Sequence, residues 1–409
     1  QAVGARLAAG SERPALPWSF KGVDDPTPNA FALPGGYIYV TRGLLALMNS
    51  EAELAAVLGH EIAHVTARHS VQMLSRAHLA EAGLSLGVRL FPNLERVAQF
   101  TAGGLQLIFL KHGRDAERQA DELGFRYTLE QGYDVREMKD VFVQLQRASA
   151  GGRSGTSALP GWLATHPSEP ERIRAVEQRI ARLQGQRDPR VAREEYLAKL
   201  DGLVVGENPR HGFFRGATFL HPDLAFRFDV PQGWRTENLT SAVIATSERQ
   251  DGQFQLTLAP DLAPEAAAAA FLQQSNVRGR LEPASINGLP AAIGRFEAQT
   301  PDGPLLGVAA FVRHRDTTYQ LVGLTGPEAV QTHAPAFERA IGSFAPLDDP
   351  RVLAVQPARL EILRLPRAMS LQELARTPES RAPVARLALL NGTIQTSARL
   401  PAGTLVKTV

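Results

Sequence analysis

Residues 55–70 read AAVLGHEIAHVTARHS, and no other stretch restricts the fold as much. Ser50, followed three residues later by Glu53, forms a capping box that opens a helix through it. Leu54, Val57, Leu58, Ile62 and Val65 would bury that helix against the rest of the chain. A buried helix takes His60, Glu61 and His64 into the interior with it. Residues four apart lie on one helical face, so both imidazoles can aim at a single ion. Glu61 stands beside the first imidazole and can face the ion's open position without binding it. Zinc in such a site lowers its water's pKa towards about 7, and the carboxylate takes that proton as a carbonyl is attacked. Two histidines packed in a core, or a Glu paired with a nearby Arg, need no further partner. A catalytic zinc needs a third protein ligand.

The chain contains no Cys, which excludes disulfides and thiolate chemistry and leaves His, Asp or Glu to hold any metal. GRDAERQADELGFRY, residues 113–127, supplies the missing group. Glu117 and Asp121 lie one turn apart on a second helix that follows the helix-like run LQLIFLKHG. Taken alone, ERQADE reads as a solvated charged face. Taken with HEIAH, it reads as a ligand carboxylate followed by an acid that hydrogen-bonds a ligand imidazole and sets its tautomer.

The length of 409 residues implies two or three domains. Apolar residues make up 44% and charged residues 21%, an ordinary globular balance. A pI near 9.0 rests on only two excess positive charges, so composition makes no case for a nucleic-acid partner. The apolar runs at 79–91 and 102–110 fall short of the ~20 residues that cross a bilayer, so no transmembrane segment is expected and the chain reads as soluble. The opening QAVGARLAAG looks like the middle of a helix, consistent with a leader that was removed or that the sequence leaves out.

Strands and a hairpin are predicted over residues 18–42, and helices from Ser50 to about 147. A Gly/Ser-rich loop follows at 148–161, expected to be mobile, then helices at 169–184 and 190–200. The pattern changes near 201–214 to strand-like runs separated by turns, with helices at 264–275 and near 335–343. The last 60 residues, with nine Arg/Lys against three Glu, read strand, helix, helix, strand. The fold class is therefore α+β multidomain. A mainly helical zincin-type domain with a small edge sheet (1–205) precedes an α/β sandwich domain (206–348) and a small βααβ module (349–409).

The motifs DDPTPNAFALPGGYIYVTRGLL, HEIAHVTARHS, RDAERQADELGFRY and THPSEPERI together resemble the HtpX/BepA-like zinc metallopeptidases, gluzincins of metallopeptidase family forty-eight related to the CAAX prenyl proteases. The resemblance covers about residues 1–185. It implies an endopeptidase with one Zn2+ per chain, ligated by His60, His64 and Glu117, with Glu61 as general base and Asp121 supporting a ligand. It also implies the periplasmic branch of the group, acting in envelope protein quality control on unfolded polypeptide. Peptidases of this type bind substrate as an added strand, and Asn29, Ala30, Phe31 and Ala32 are the candidate edge; a buried core hairpin is the other reading. His166, just before Pro167, reads as a plug filling the open metal position, an oxyanion donor, or a helix-start histidine held by local packing. Arg172 is a weaker oxyanion candidate. His69 is expected to point elsewhere around the helix, and His78 and His112 receive no role.

Residues 206–348 resemble a PsbP-like domain, which implies no chemistry. The tail at 369–409 resembles a LysM-like module, a class that binds peptidoglycan, although RAMS stands where GDT is usual. Its basic balance suits an anionic wall or simply a solvated face. Possible partners are thus unfolded polypeptides, peptidoglycan and outer-membrane assembly components. The rival to a peptidase is a latent chaperone-like or scaffold protein whose metal site His166 plugs.

Overall fold

The computed structural model describes residues 1–73, 75, 112–150, 161–167, 170–183, 185–239, 241–300 and 303–409. His78, both apolar runs and most of the Gly/Ser-rich loop lie outside them. Among the described residues no helix is long and apolar enough to cross a membrane. The described parts of 1–206 and 358–409 form one compact unit, and those of 207–357 form another.

In the first unit, α1 (Ala2–Ala9) leads to β1 (Ser19–Val23), β2 (Ala30–Leu33) and β3 (Tyr37–Thr41), then α2 (Arg42–Leu47) and α3 (Glu51–Thr66). Next come α4 (Arg114–Glu130), α5 (Glu137–Ala150), α6 (Trp162–Thr165), α7 (Pro170–Arg182) and α8 (Arg193–Leu200). The sheet has the order β1-β3-β2, with β1 parallel and β2 antiparallel to β3. Gly35 and Gly36 turn the hairpin with φ of 96° and 98°, a region that costs a side-chain-bearing residue steric energy. β2 is consequently an edge strand; no described strand pairs with its outer side.

Helix α3 is buried on all faces from Ala55 to Val65. Val57, Leu58 and Ile62 each contribute about 1.5–3 kcal/mol by leaving water. Ser50 caps it as expected, its Oγ accepting from Glu53 N at 3.0 Å. The return half of the box differs: the Glu53 carboxylate accepts from the backbone N–H of Asn49, one residue farther out. Gln144 on α5 donates to the same carboxylate at 3.3 Å.

The tail shares this unit while keeping a small core of its own around Leu365, Leu371, Leu374 and Leu387. Glu361–Arg364 pairs antiparallel with Leu405–Thr408, and the helices Leu371–Leu374 and Val384–Leu390 lie between them in sequence. Lys407 is fully buried, and its ammonium donates to the carbonyls of Ala46, Leu47 and Met48 at 2.7, 3.2 and 2.9 Å. These carbonyls end α2 and lead directly into the α3 cap.

Burial pushes the Glu53 carboxyl up to about 8, against the Asn49 hydrogen bond that lowers it. The native state therefore keeps a proton that the unfolded chain releases above pH ~4.5, so this group's contribution falls as pH rises through that window. Burial also pulls Lys407 down to about 7, and its opposing contribution begins only there. Between about pH 5 and 7, the native chain should lose melting temperature relative to Glu53→Gln. Parallel pH–Tm curves for the two proteins would show that Glu53 does not titrate in this way.

In the second unit an antiparallel seven-stranded sheet runs in the spatial order Val277–Ile286, Leu289–Thr300, Gly303–His314, Thr317–Thr325, Gly252–Leu258, Ala242–Thr246 and Arg235–Asn238. A four-stranded sheet built from Phe213–Arg215, Thr218–His221, Phe226–Asp229 and Ala345–Pro346 accompanies it. The helices Pro264–Leu272 and Val330–Gly342 complete an α/β arrangement. Phe219, Phe226, Phe254, Phe337 and Phe344 fill its main core.

Candidate metal centre

The site exists because α3 and α4 touch backbone to backbone. A Cβ on Gly59 would stand 2.9 Å from the carbonyl oxygen of Gly124, and one on Gly124 would stand 2.8 Å from His60 N. Only glycine permits that approach. Glu117 precedes Gly124 by seven residues, about two turns, so it lies on the same helical face and reaches over the two imidazoles.

His60 Nε2 lies 3.0 Å from His64 Nε2, 3.5 Å from Glu117 Oε2 and 3.3 Å from His166 Nδ1. Glu117 Oε1 lies 3.4 Å from His64 Nε2 and 3.1 Å from His166 Nδ1. All four side chains are at most 2% exposed. A tetrahedral zinc with bonds of about 2.0–2.1 Å has ligand atoms separated by about 3.3 Å, so this donor set is spaced for such an ion. Charge agrees with spacing. With Glu61, Glu117 and Asp121 ionised and the imidazoles neutral, as metal ligands must be, one guanidinium, Arg172, leaves two buried negative charges, which a divalent cation balances.

Behind the ligands, His60 Nδ1 lies 3.0 Å from Asp121 Oδ1. Arg172 donates to both oxygens of Asp121 at 2.7 Å and to the Pro167 carbonyl at 2.8 Å, and its Nη1 forms an ion pair with Glu117 Oε2 at 2.7 Å. All three guanidinium nitrogens face acceptors of the protein, so Arg172 holds the Asp121 and Glu117 carboxylates in place. Burial opposes charge on His60, yet Asp121 and Glu117 lift its pKa to about 9. Burial lowers that of His64. For Glu117, burial acts upward but the contacts to His166, His60 and His64 prevail and hold the carboxyl low.

Glu61 is 1% exposed and burial raises its pKa. Its Oε1 accepts no hydrogen bond among the described residues and faces His166 Nε2 at 3.6 Å. His166 follows α6, its ring stacked on Trp162 with centroids 4.3 Å apart. Trp162 N donates to the Pro28 carbonyl at 3.0 Å, and His112 N to that of Thr165 at 3.1 Å, which anchors the segment on both sides.

At the candidate edge, Ala30 and Ala32 are buried while Phe31 stacks on Tyr39. Asn29 differs from the other three. Its N–H is taken by Thr41 Oγ1 and its carbonyl by Thr41 N, both at 2.9 Å, so its main chain serves the hairpin.

Two histidines missed by sequence reasoning belong here. The helix ends at Thr66 and Arg68 adopts a left-handed φ of 58°, so the chain folds back instead of continuing its turn. His69 consequently places Nδ1 2.9 Å from His64 Nδ1 rather than pointing away. His112 stacks on the His64 ring, with centroids 4.1 Å apart. The Arg-His pair after HEIAHVTA was the available signal, but a left-handed turn at Arg is not legible from residue type.

Residues 1–180 match Peptidase family M48. Mitochondrial metalloendopeptidase OMA1 of Schizosaccharomyces pombe is 32% identical over 184 residues, spanning 45% of this chain and 52% of the relative. The beta-barrel assembly-enhancing protease of Yersinia pestis is 29% identical over 204 residues, spanning 48% of this chain and 40% of the relative. The chain thus spans about half the length, or less, of these relatives. Among solved structures, cyanobacterial PsbP from Synechocystis sp. PCC 6803 aligns at a TM-score of 0.27 and 12% identity, over 32% of this chain and 94% of that one.

Proposed function

We propose that this chain, whose residues 1–180 match Peptidase family M48, is a zinc-dependent endopeptidase that cleaves unfolded or misassembled polypeptide in the cell envelope. The observation that carries the reading is the buried set His60, His64, Glu117 and His166, whose ligand atoms lie within 4.8 Å of one another. His60, His64 and Glu117 would hold the ion, and Asp121, fixed by Arg172, orients His60. A bound zinc supplies Lewis-acid chemistry, polarising a carbonyl and making a water acidic enough to lose its proton near neutral pH. Glu61, raised by burial and unclaimed at Oε1, takes that proton and returns it to the leaving amine. Addition of an extended segment along β2, which among the described strands lies at the edge of its sheet, would favour chains without fixed structure. Similarity to the beta-barrel assembly-enhancing protease supports an envelope location, where the LysM-like tail would bind the wall. The test pairs zinc content with cleavage of casein. One zinc per chain and chelator-sensitive cleavage are expected; chelator-resistant cleavage, or none with zinc bound even after His166→Ala, would overturn the reading.

The position of His166 favours a latent resting form. Its Nδ1 stands where a fourth ligand stands, within 3.3 Å of both His60 Nε2 and Glu117 Oε1. His166→Ala should raise basal casein cleavage by about tenfold, because the competent fraction is set by how often the imidazole leaves. A fall would assign His166 to oxyanion stabilisation. An unchanged rate would make it a packing residue.

A further inference from the structure

We infer that His69 and Gln119 form a neutral relay that sets the tautomer of His64, a positioning role separate from the Asp121 support of His60. The inference rests on the zinc reading above. To serve as a ligand, His64 must present the lone pair of Nε2, so its one proton sits on Nδ1. That Nδ1 lies 2.9 Å from His69 Nδ1. Two N–H groups cannot face each other there, so His69 Nδ1 carries no proton and accepts. The proton of His69 must then sit on Nε2, and Gln119 Oε1 lies 3.0 Å away to accept it. Every link has one donor and one acceptor, and the chain of assignments has no alternative once His64 Nε2 is a ligand.

The choice of a neutral partner also has a physical reason. Glu61, Glu117 and Asp121 against Arg172 already match the two charges of a divalent ion. A carboxylate in place of His69, itself 6% exposed, would bury one more negative charge without a counter-ion. Helix α4 thereby serves both imidazoles: Asp121 contacts His60 directly, and Gln119 reaches His64 through His69. The left-handed Arg68 makes this possible by returning His69 to the site.

The test measures zinc affinity by competition with a chromophoric chelator and reads imidazole tautomers from long-range 15N–1H spectra of the zinc-loaded protein. His69→Ala should weaken zinc binding by about 10–100-fold. His69→Asn, whose side-chain oxygen can replace Nδ1 as acceptor, should recover most of the loss. Gln119 is exposed, so Gln119→Leu leaves the fold intact; it should weaken binding several-fold, while Gln119→Glu, which still accepts, should not. The spectra should show His69 protonated on Nε2. Native zinc affinity in both His69→Ala and Gln119→Leu, or a His69 proton on Nδ1, would overturn the relay alone. A native chain that holds no zinc would overturn the parent reading and the relay with it.

Discussion

Replacing Glu61 by Gln should reduce casein cleavage by about 10²–10⁴-fold while leaving one zinc per chain. The amide has almost the same shape, so the packing of α3 and the metal ligands persist. It cannot accept a proton from water, and it has no charge to stabilise a developing cation beside it. Glu61 lies next to ligand His60, with its own Oε1 3.6 Å from His166 Nε2. Loss of cleavage together with loss of zinc would mean that Glu61 is a ligand. Full cleavage by Glu61→Gln would remove the hydrolytic role altogether, and deletion-strain complementation by the same variant would point to binding as the function.

Glu117→Ala should have the second large effect, weakening zinc affinity by more than about a hundredfold and abolishing cleavage with it. Glu117 is the only carboxylate in the clustered donor set, and it bridges the separate contributions of α3 and α6 through His60, His64 and His166. Its removal also leaves Arg172 Nη1 without the oxygen 2.7 Å away, so one positive charge loses part of its balance. Glu117→Gln keeps the volume but loses the charge, and should fall between the native chain and Glu117→Ala. Chelator competition gives the affinity; circular dichroism separates metal loss from unfolding. A Glu117→Ala chain that retains stoichiometric zinc at native affinity would show that the carboxylate only packs against the imidazoles.

Much of the first unit was legible because its signals are local. Ser50, the apolar faces of HEIAHVT and the one-turn spacing of Glu117 and Asp121 specify helices and the side chains they share. The edge hairpin was legible from Pro-Gly-Gly between β-prone runs. The position of the tail was not. Its strands and helices could be read from pattern, but the insertion of Lys407 beneath Met48 joins residues far apart in sequence, and nothing local marks a lysine for burial.

The sequence alone determined which groups could meet a metal, because helical periodicity converts spacing into facing directions and the absence of Cys leaves few donor types. The tertiary structure decided how closely they meet and in which protonation state. The Gly59–Gly124 contact draws two helices together, Arg68 returns His69 to His64, and Trp162 holds His166 over Glu61. Each of these depends on the separation of backbones that packing sets, and a few tenths of an ångström there separate a buried charge cluster from a tetrahedral site.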